Sequence, residues 1–287
     1  MNTRLVKERA APDLVSIHGG HSGQFCNHAS DTLEQVIQAY IDKGFAWVGI
    51  TEHMPPPSDR FLYPEERQAG LDAHAMQARF ARYMEEVRRL KARYADRLEI
   101  FIGFETEACS GAMELTRVLR DKYRPDYVLG GVHHVADIPF DYSREAYGQA
   151  VAASGGIEAL YCRYFDLQHD LIQALRPDVV AHFDLIRLFD DDYTRRLLAP
   201  DVMQRIQRNL ELVARLGLIL DYNVAALRKG APEPYLSEPI LERARDMGIA
   251  VVPSDDSHGA GMAGAYVPEG IAILRDKGFD LNWRKPR

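Results

Sequence analysis

Residues 14–21, LVSIHGGH, set a pattern that the rest of the chain repeats: a short apolar run ending on side chains that bind metals. Six more runs follow it: WVGITEH (47–53), EIFIGFE (99–105), YVLGGVHH (127–134), VVAHF (179–183), LILDYN (218–223) and VVPSDDSH (251–258). All but LILDYN carry an imidazole or a carboxylate in their last two positions, and LILDYN closes on Asn223. Packing alone gives no reason to place such groups at the mouth of nearly every strand. The pattern predicts a barrel whose rim is a polynuclear metal site.

The stretches around these runs support that fold. β-type segments near 13–18, 46–51, 98–104, 127–132, 178–183, 218–223 and 249–254 alternate with helical ones. Asp31 followed by Glu34 reads as a capping-box-like start to the first helix, which stops at Gly44. Segment 65–96 has helical period throughout, with Phe80, Met84, Val87 and Leu90 on one face. Later helices are expected near 111–122, 157–175, 201–216, 238–247 and 267–277, with Gly217, Gly248 and Gly278 at helix ends. Alternating β and α of this kind implies a parallel sheet. The expectation is an α/β fold, a TIM-like (β/α)7 barrel, forming one domain over 1–287 with its core at about 13–278. In such barrels the chemistry sits at the C-terminal ends of the strands, which is where these ligands fall.

Composition narrows the function. Of the 287 residues, 46% are apolar and 27% charged, enough for a substantial core. A net charge of −7 argues against bulk attraction to nucleic acid. No run approaches the ~20 apolar residues of a membrane span. The N-terminal MNTRLVKERAAPD is basic with no apolar stretch after it, so no secretory signal is read there. Cys26, Cys109 and Cys162 are widely spaced and odd in number, which favours a reducing compartment, the cytoplasm, over a disulfide framework. Each is read as a small apolar filler, Cys26 least securely because it stands two residues before His28.

The candidate ligands are His18, His21, His28, His53, Glu105, His133, His182, Asp256 and His258. Gly19-Gly20 lets the chain turn sharply enough for His18 and His21 to face one ion. Adjacent strand residues point to opposite faces, so one of Glu52 and His53 enters the rim, and one of His133 and His134. His53 and His133 are chosen, with Glu52 left to orient a neighbour. Glu105 can bridge two cations through its two oxygens, and Glu107 competes with it. Asp256 and His258 share one side of an extended chain, with Asp255 as the alternative to Asp256. Imidazoles and carboxylates suit zinc, iron or manganese. So many donors exceed what one ion takes, which implies two or three divalent ions.

HGGHSGQFCNHAS, GFAWVGITEHMP, GFE, GGVHHV, AHFDLIR, LDYNVAALRK and SDDSH together resemble the PHP (polymerase and histidinol phosphatase) superfamily, most closely its histidinol-phosphatase branch, over roughly 13–275. The resemblance implies a distorted seven-stranded barrel and a trinuclear site. One ion would take His18, His21, Glu105 and Asp256. A second would share Glu105 and add His133 and His182. A third would take His28, His53 and His258. The usual first motif is His-x-His, whereas His18-Gly-Gly-His21 is one residue longer, so either the extra glycine loops out or one histidine leaves the cluster.

The implied activity is hydrolysis of a small phosphorylated metabolite, L-histidinol phosphate, by metal-activated hydroxide, with Glu105, Asp256 and His258 at the chemistry. Arg187 and Arg228 match phosphate-binding positions of the branch, since guanidinium pairs planar donors with phosphate oxygens. Lys229 is read as solvent-facing. Glu107, Asp184 and Asn223 are candidates to face the substrate amine, and the Pro-rich loop 54–64 could cover it. A PHP nuclease or nucleotide phosphoesterase, and a non-catalytic metal-binding barrel, are the competing readings.

Overall fold

A computed structural model describes residues 11–286. The basic stretch 1–10, part of the segment in which no signal is read, lies outside them. Along the chain run β1 (Val15–Ser16), α1 (Leu33–Asp42), β2 (Trp47–Ile50), α2 (Pro64–Gln68), α3 (Ala73–Arg93), β3 (Glu99–Ile102) and α4 (Ala112–Tyr123). β4 (Leu129–Gly130), β5 (His134–Val135), β6 (Ile138–Pro139), α5 (Arg144–Ser154), α6 (Ile157–Leu175) and β7 (Val179–Val180) follow. The chain ends with α7 (Tyr193–Leu197), α8 (Pro200–Leu216), β8 (Ile219–Asn223), α9 (Ala225–Arg228), α10 (Glu238–Asp246), β9 (Ala250–Ser254) and α11 (Val267–Asp276).

Seven strands are parallel and fall into two sheets, β1-β2-β3 and β4-β7-β8-β9. Among the described residues the expected barrel is not present as one closed hydrogen-bonded sheet. At one seam Leu129 N donates to Phe104 O at 3.0 Å and Thr106 N to Leu129 O at 2.9 Å. At the other, Ile17 N donates to Pro253 O at 3.1 Å and Asp256 N to His18 O at 2.9 Å. Residue chemistry breaks both ladders. β1 and β4 are two residues long. The carbonyl of Pro253 faces β1, and on that same side proline has no N–H to give.

Apolar packing is layered around this frame. Val15, Ile17, Trp47, Tyr127, Leu129, Val179, Ala181, Ile219 and Val252 meet between the two sheets. Outside the first sheet pack Leu33 and Tyr40 of α1, Phe80 and Val87 of α3, and Ile271 of α11. Outside the second pack Leu171 of α6, Ile206 of α8 and Leu241 of α10. Strands buried on both faces read as near-continuous apolar runs, as the sequence showed. Tyr127 crosses the interior to donate to Ile17 O at 2.6 Å. Gly49 is required where the ring passes, because a Cβ there would come to 1.8 Å of the tyrosine oxygen.

The helix starts needed two corrections. The capping box of α1 is Thr32 with Gln35, not Asp31 with Glu34. Asp31 instead takes φ 66° and accepts from Ala260 N at 2.9 Å, tying down the loop after β9. The single helix expected over 65–96 is two, because Gly70 ends the first at φ 70° and Asp72 caps the second through Ala75 N. Helix α5 and the antiparallel β5–β6 hairpin were not foreseen. Among the described residues no helix is long and apolar enough to cross a membrane.

Candidate metal centre

Every predicted ligand lies at the same end of the strands. Glu105, just past β3, is the hub. Its Oε1 is 2.7 Å from His182 Nε2 and 3.1 Å from His133 Nε2, and its Oε2 is 3.1 Å from His53 Nδ1 and 3.5 Å from His18 Nε2. Asp256 is a second hub, with Oδ1 3.2 Å from His21 Nε2 and 3.8 Å from both His18 Nε2 and His258 Nδ1. Donor atoms within 4.8 Å of one another form the sets His18–Glu105–His182, His18–His21–Asp256, His21–His53–Glu105 and Cys26–His28–His53–His258.

The longer first motif is absorbed by the backbone. Gly19 N donates to Gly49 O at 2.8 Å and His21 N to Ser257 O at 2.7 Å. A Cβ at Gly19 would come to 2.4 Å of Gly49 O, and one at Gly20 to 2.3 Å of Val36. Two bare glycines therefore press the turn onto β2 and α1, and both histidines face Asp256. His182 and Asp256 themselves take left-handed φ values of 21° and 43°. Such backbone is held only where surroundings enforce it. Here His182 N donates to Asp221 Oδ2 at 3.2 Å, and Asp256 N to His18 O.

A second layer orients these rings. Glu52 accepts from Ser22 N at 2.9 Å and stands 3.6 Å from His21 Nδ1. Glu107 lies 3.2 Å from His133 Nδ1 and 3.0 Å from His134 Nδ1, so His134 turns away from the hub that His133 faces. Asp255 points to Ser16, Tyr40 and Gly264 N rather than to the imidazoles, leaving Asp256 at the rim. Asp221 was missed. It sits 3.3 Å from His18 Nδ1 and accepts from Ser254 Oγ. The signal was present: in LILDYN, Ile219, Asp221 and Asn223 share one face, and Ile219 faces the interior.

Several buried imidazole nitrogens make no well-aligned hydrogen bond, even where a carboxylate oxygen stands 3.1–3.6 Å away: His18 Nε2, both of His21, both of His53 and His182 Nδ1. Desolvated nitrogens left unpaired are costly, and cations relieve that cost, so the donor set fits divalent metal. Charge gives the same result. Burial would raise the Glu105 carboxyl, but His133 and His18 outweigh it and hold it well below the usual range. Burial likewise opposes the low value of Asp256, which His18, His21 and His258 impose. For His21, burial disfavours the proton, yet Asp256 and Glu52 push its value up to about 9. In His53, burial and His21 oppose protonation, yet Cys26 and Glu105 carry it up to about 9.

These shifts fix a pH response for the chelated protein. A histidine raised in the fold stabilises fully below its unfolded value near 6.5, and loses that contribution as pH rises through about 9. The melting temperature of chelated protein is expected to fall from about pH 6.5 to about 9, whereas metal-loaded protein should strengthen over that window because ligation needs deprotonated rings. Calorimetry at several pH values decides it, and a rising curve for chelated protein would contradict these charge assignments.

The cluster opens into a cavity of about 400 Å³. His28, His53, Glu105, His133, His182, Asp256 and His258 line it, with Arg228 and Lys229 from the end of α9. Glu65, Glu107 and Asp141 add acid, and Tyr63 and Tyr142 stack at 5.6 Å. Lys229 is exposed, as expected, and also borders the cavity mouth. Arg187 is placed differently from Arg228. It is 4% exposed, lies between Tyr193 and Tyr235, and its Nη2 donates to Glu233 O and Pro234 O at 2.8 Å. Its Nε faces Asp184 at 3.3 Å, so it braces the 233–237 segment and is not among the lining residues. Asp184 accepts from Leu236 N and Ser237 N, and Asn223 accepts from Ala225 N, so neither faces a substrate amine. Of loop 54–64, Tyr63 reaches the cavity, and Arg60 pairs with Asp137 of the hairpin turn at 3.2 Å.

Comparison with known proteins agrees with this architecture. The chain is 41% identical over 254 residues to a probable histidinol-phosphatase of Schizosaccharomyces pombe, covering 87% of this chain and 82% of that protein. It is 28% identical to the histidinol-phosphatase of Saccharomyces cerevisiae, covering 86% and 84% of the two chains. A solved Listeria monocytogenes structure superposes with a TM-score of 0.76 at 25% identity, covering 88% of this chain and 99% of that one. The fold is also that of a Lactococcus lactis histidinol phosphate phosphatase, solved with zinc, L-histidinol and phosphate, at TM-score 0.71, 18% identity, and coverage of 93% and 95%. Residues 19–225 match the PHP domain, and with the rim of imidazoles and acids that those residues build, the chain belongs to the PHP domain family.

Proposed function

We propose that this chain is a metal-dependent phosphomonoesterase that hydrolyses L-histidinol phosphate to L-histidinol and phosphate. The observation that carries the reading is the cavity beside the imidazole rim, which holds fixed charges of both signs. A phosphate dianion bearing a cationic amine needs both. The relatives named histidinol-phosphatase support it, and the Lactococcus lactis structure with zinc, L-histidinol and phosphate is a precedent in the same fold.

Two or three divalent ions, zinc, iron or manganese, would be held by His18, His21, Glu105 and Asp256, by Glu105, His133 and His182, and by His28, His53 and His258. Bound there, they neutralise phosphate oxygens and supply a nucleophilic water at neutral pH. The protein's own groups do the rest. Glu105 and Asp256 keep the imidazoles converged, and His258 presents its ring at the cavity wall. Arg228 brings a guanidinium to the same wall, and Lys229 a second cation. The two sheets are read as the wall of a distorted seven-stranded barrel, and the three free thiols fit a cytoplasmic enzyme.

Asp141 is assigned to the amine. Burial raises its carboxyl, and its buried Oδ1 has no hydrogen-bond partner. A bound ammonium supplies that partner. Phosphate release should be measured across histidinol phosphate, mononucleotides and short oligonucleotides, with and without chelator. Chelator-sensitive turnover of histidinol phosphate is expected to dominate. Preference for oligonucleotides would make the chain a nuclease, and no turnover by fully metallated protein would leave it a non-catalytic domain. Asp141→Asn is expected to raise KM for histidinol phosphate about tenfold or more, the worth of one charged hydrogen bond, while leaving a phosphomonoester that lacks an amine unaffected. Equal effects on both substrates would remove Asp141 from amine recognition.

A further inference from the structure

We propose that Cys26 is a protein ligand of the ion assigned above to His28, His53 and His258, so that one thiolate and three imidazoles hold that ion. The inference rests on the metal-dependent reading of the rim. The sequence offered Cys26 as an apolar filler, and neither its type nor its spacing within FCNH placed it near His53 or His258.

The geometry does. Ligand atoms of Cys26, His28, His53 and His258 all lie within 4.8 Å of one another. Cys26 Sγ stands 3.4 and 3.3 Å from the two ring nitrogens of His28. A tetrahedral zinc with nitrogen and sulfur bonds of about 2.0 and 2.3 Å sets its donors roughly 3.3–3.6 Å apart, so the sulfur is already at ligand spacing from His28. The placement is built rather than incidental. Phe25 N and Cys26 N both donate to Ser22 O, at 3.0 and 2.8 Å, and Ala29 N returns to Cys26 O at 3.3 Å. This tight turn puts Cys26 and His28 on one side. Both nitrogens of the neighbouring His53 are buried without a hydrogen-bond partner. Cys109 is equally buried, at 5%, yet belongs to none of the donor sets.

Charge supplies the second argument. The other three donor sets each contain Glu105 or Asp256, whereas this one has no carboxylate. Three neutral imidazoles leave a divalent ion uncompensated, and a thiolate is the one anion the set can offer. On coordination the thiol proton passes to solvent, and the sulfur lone pair forms the bond to the metal. A soft sulfur donor favours zinc over manganese or magnesium at this position.

Cobalt(II) loading of the chelated full-length protein tests this without any assay of turnover. Cobalt content by elemental analysis and the near-ultraviolet thiolate-to-cobalt charge-transfer band are read together. The band is expected in the wild type and in Cys109→Ser, and its loss is expected in Cys26→Ser and Cys26→Ala. Full cobalt content without the band in wild type would overturn the thiolate ligand while leaving the metal site standing. A band that persists in Cys26→Ala would assign the sulfur elsewhere and overturn it too. Failure to take up cobalt at all would overturn the metal reading and this inference with it.

Discussion

Glu105→Gln is expected to lower turnover by about 10³-fold or more and to reduce the metal content, with the fold intact. One carboxylate oxygen meets His133 and His182, and the other meets His18 and His53. Glutamine keeps the shape and one carbonyl oxygen, but presents an NH2 group to the second set of donors. It also removes the buried negative charge that holds the imidazoles together. Metal-borne charge stabilisation is worth several kcal/mol, and each ~1.4 kcal/mol is a factor of ten in rate. Phosphate-release kinetics, elemental analysis and circular dichroism on one preparation check all three parts. Wild-type turnover at full metal content would show that Glu105 is not the bridge.

Arg228→Ala is expected to cost about 10²–10³ in kcat/KM, with kcat and KM both affected. A reading from sequence alone anticipates mainly a raised KM, because it sees a phosphate-binding cation. In the fold, Arg228 also donates from Nη1 to Asp255 O and from Nη2 to Asp256 O, each at 2.9 Å. Those carbonyls belong to the segment that carries Asp256 and His258. Removing the side chain therefore loosens the metal rim as well as the cavity charge, and each charged hydrogen bond is worth about 1.5–3 kcal/mol. Arg228→Lys should restore part of KM through its charge and little of kcat, since an ammonium cannot span both carbonyls. A change in KM with kcat untouched would show that the two carbonyl contacts do not matter to the rim.

The legible part of this site was its roster; the roles inside it were less so. Each strand ends where a carboxylate or imidazole follows an apolar run, because buried strands must be apolar and ligands must stand just beyond them. Period-two alternation carried a signal for Asp221 that the reading missed, and only its distance to His18 and His182 reveals what it does there. Arg187 shows the converse case. Its position after a strand looks like that of Arg228, yet the return of residues 233–237 across its guanidinium converts it to a brace. Nothing local to AHFDLIR encodes where that distant segment will lie.

By itself the sequence determined the α/β alternation, the end of the strands that carries the chemistry, and the residue types available to grip cations. Those follow from burial and from the two periodicities of backbone structure, which act over a few residues. Tertiary structure alone decided that His133 and not His134 faces Glu105, that Asp255 is held by Ser16 and Tyr40 while Asp256 turns inward, and that Cys26 meets three histidines. It also decided that seven parallel strands divide into two sheets, where a two-residue strand and a proline interrupt the ladders. Coordination and hydrogen bonding act over about 3 Å, and distances of that order between residues far apart in the chain exist only once it has packed.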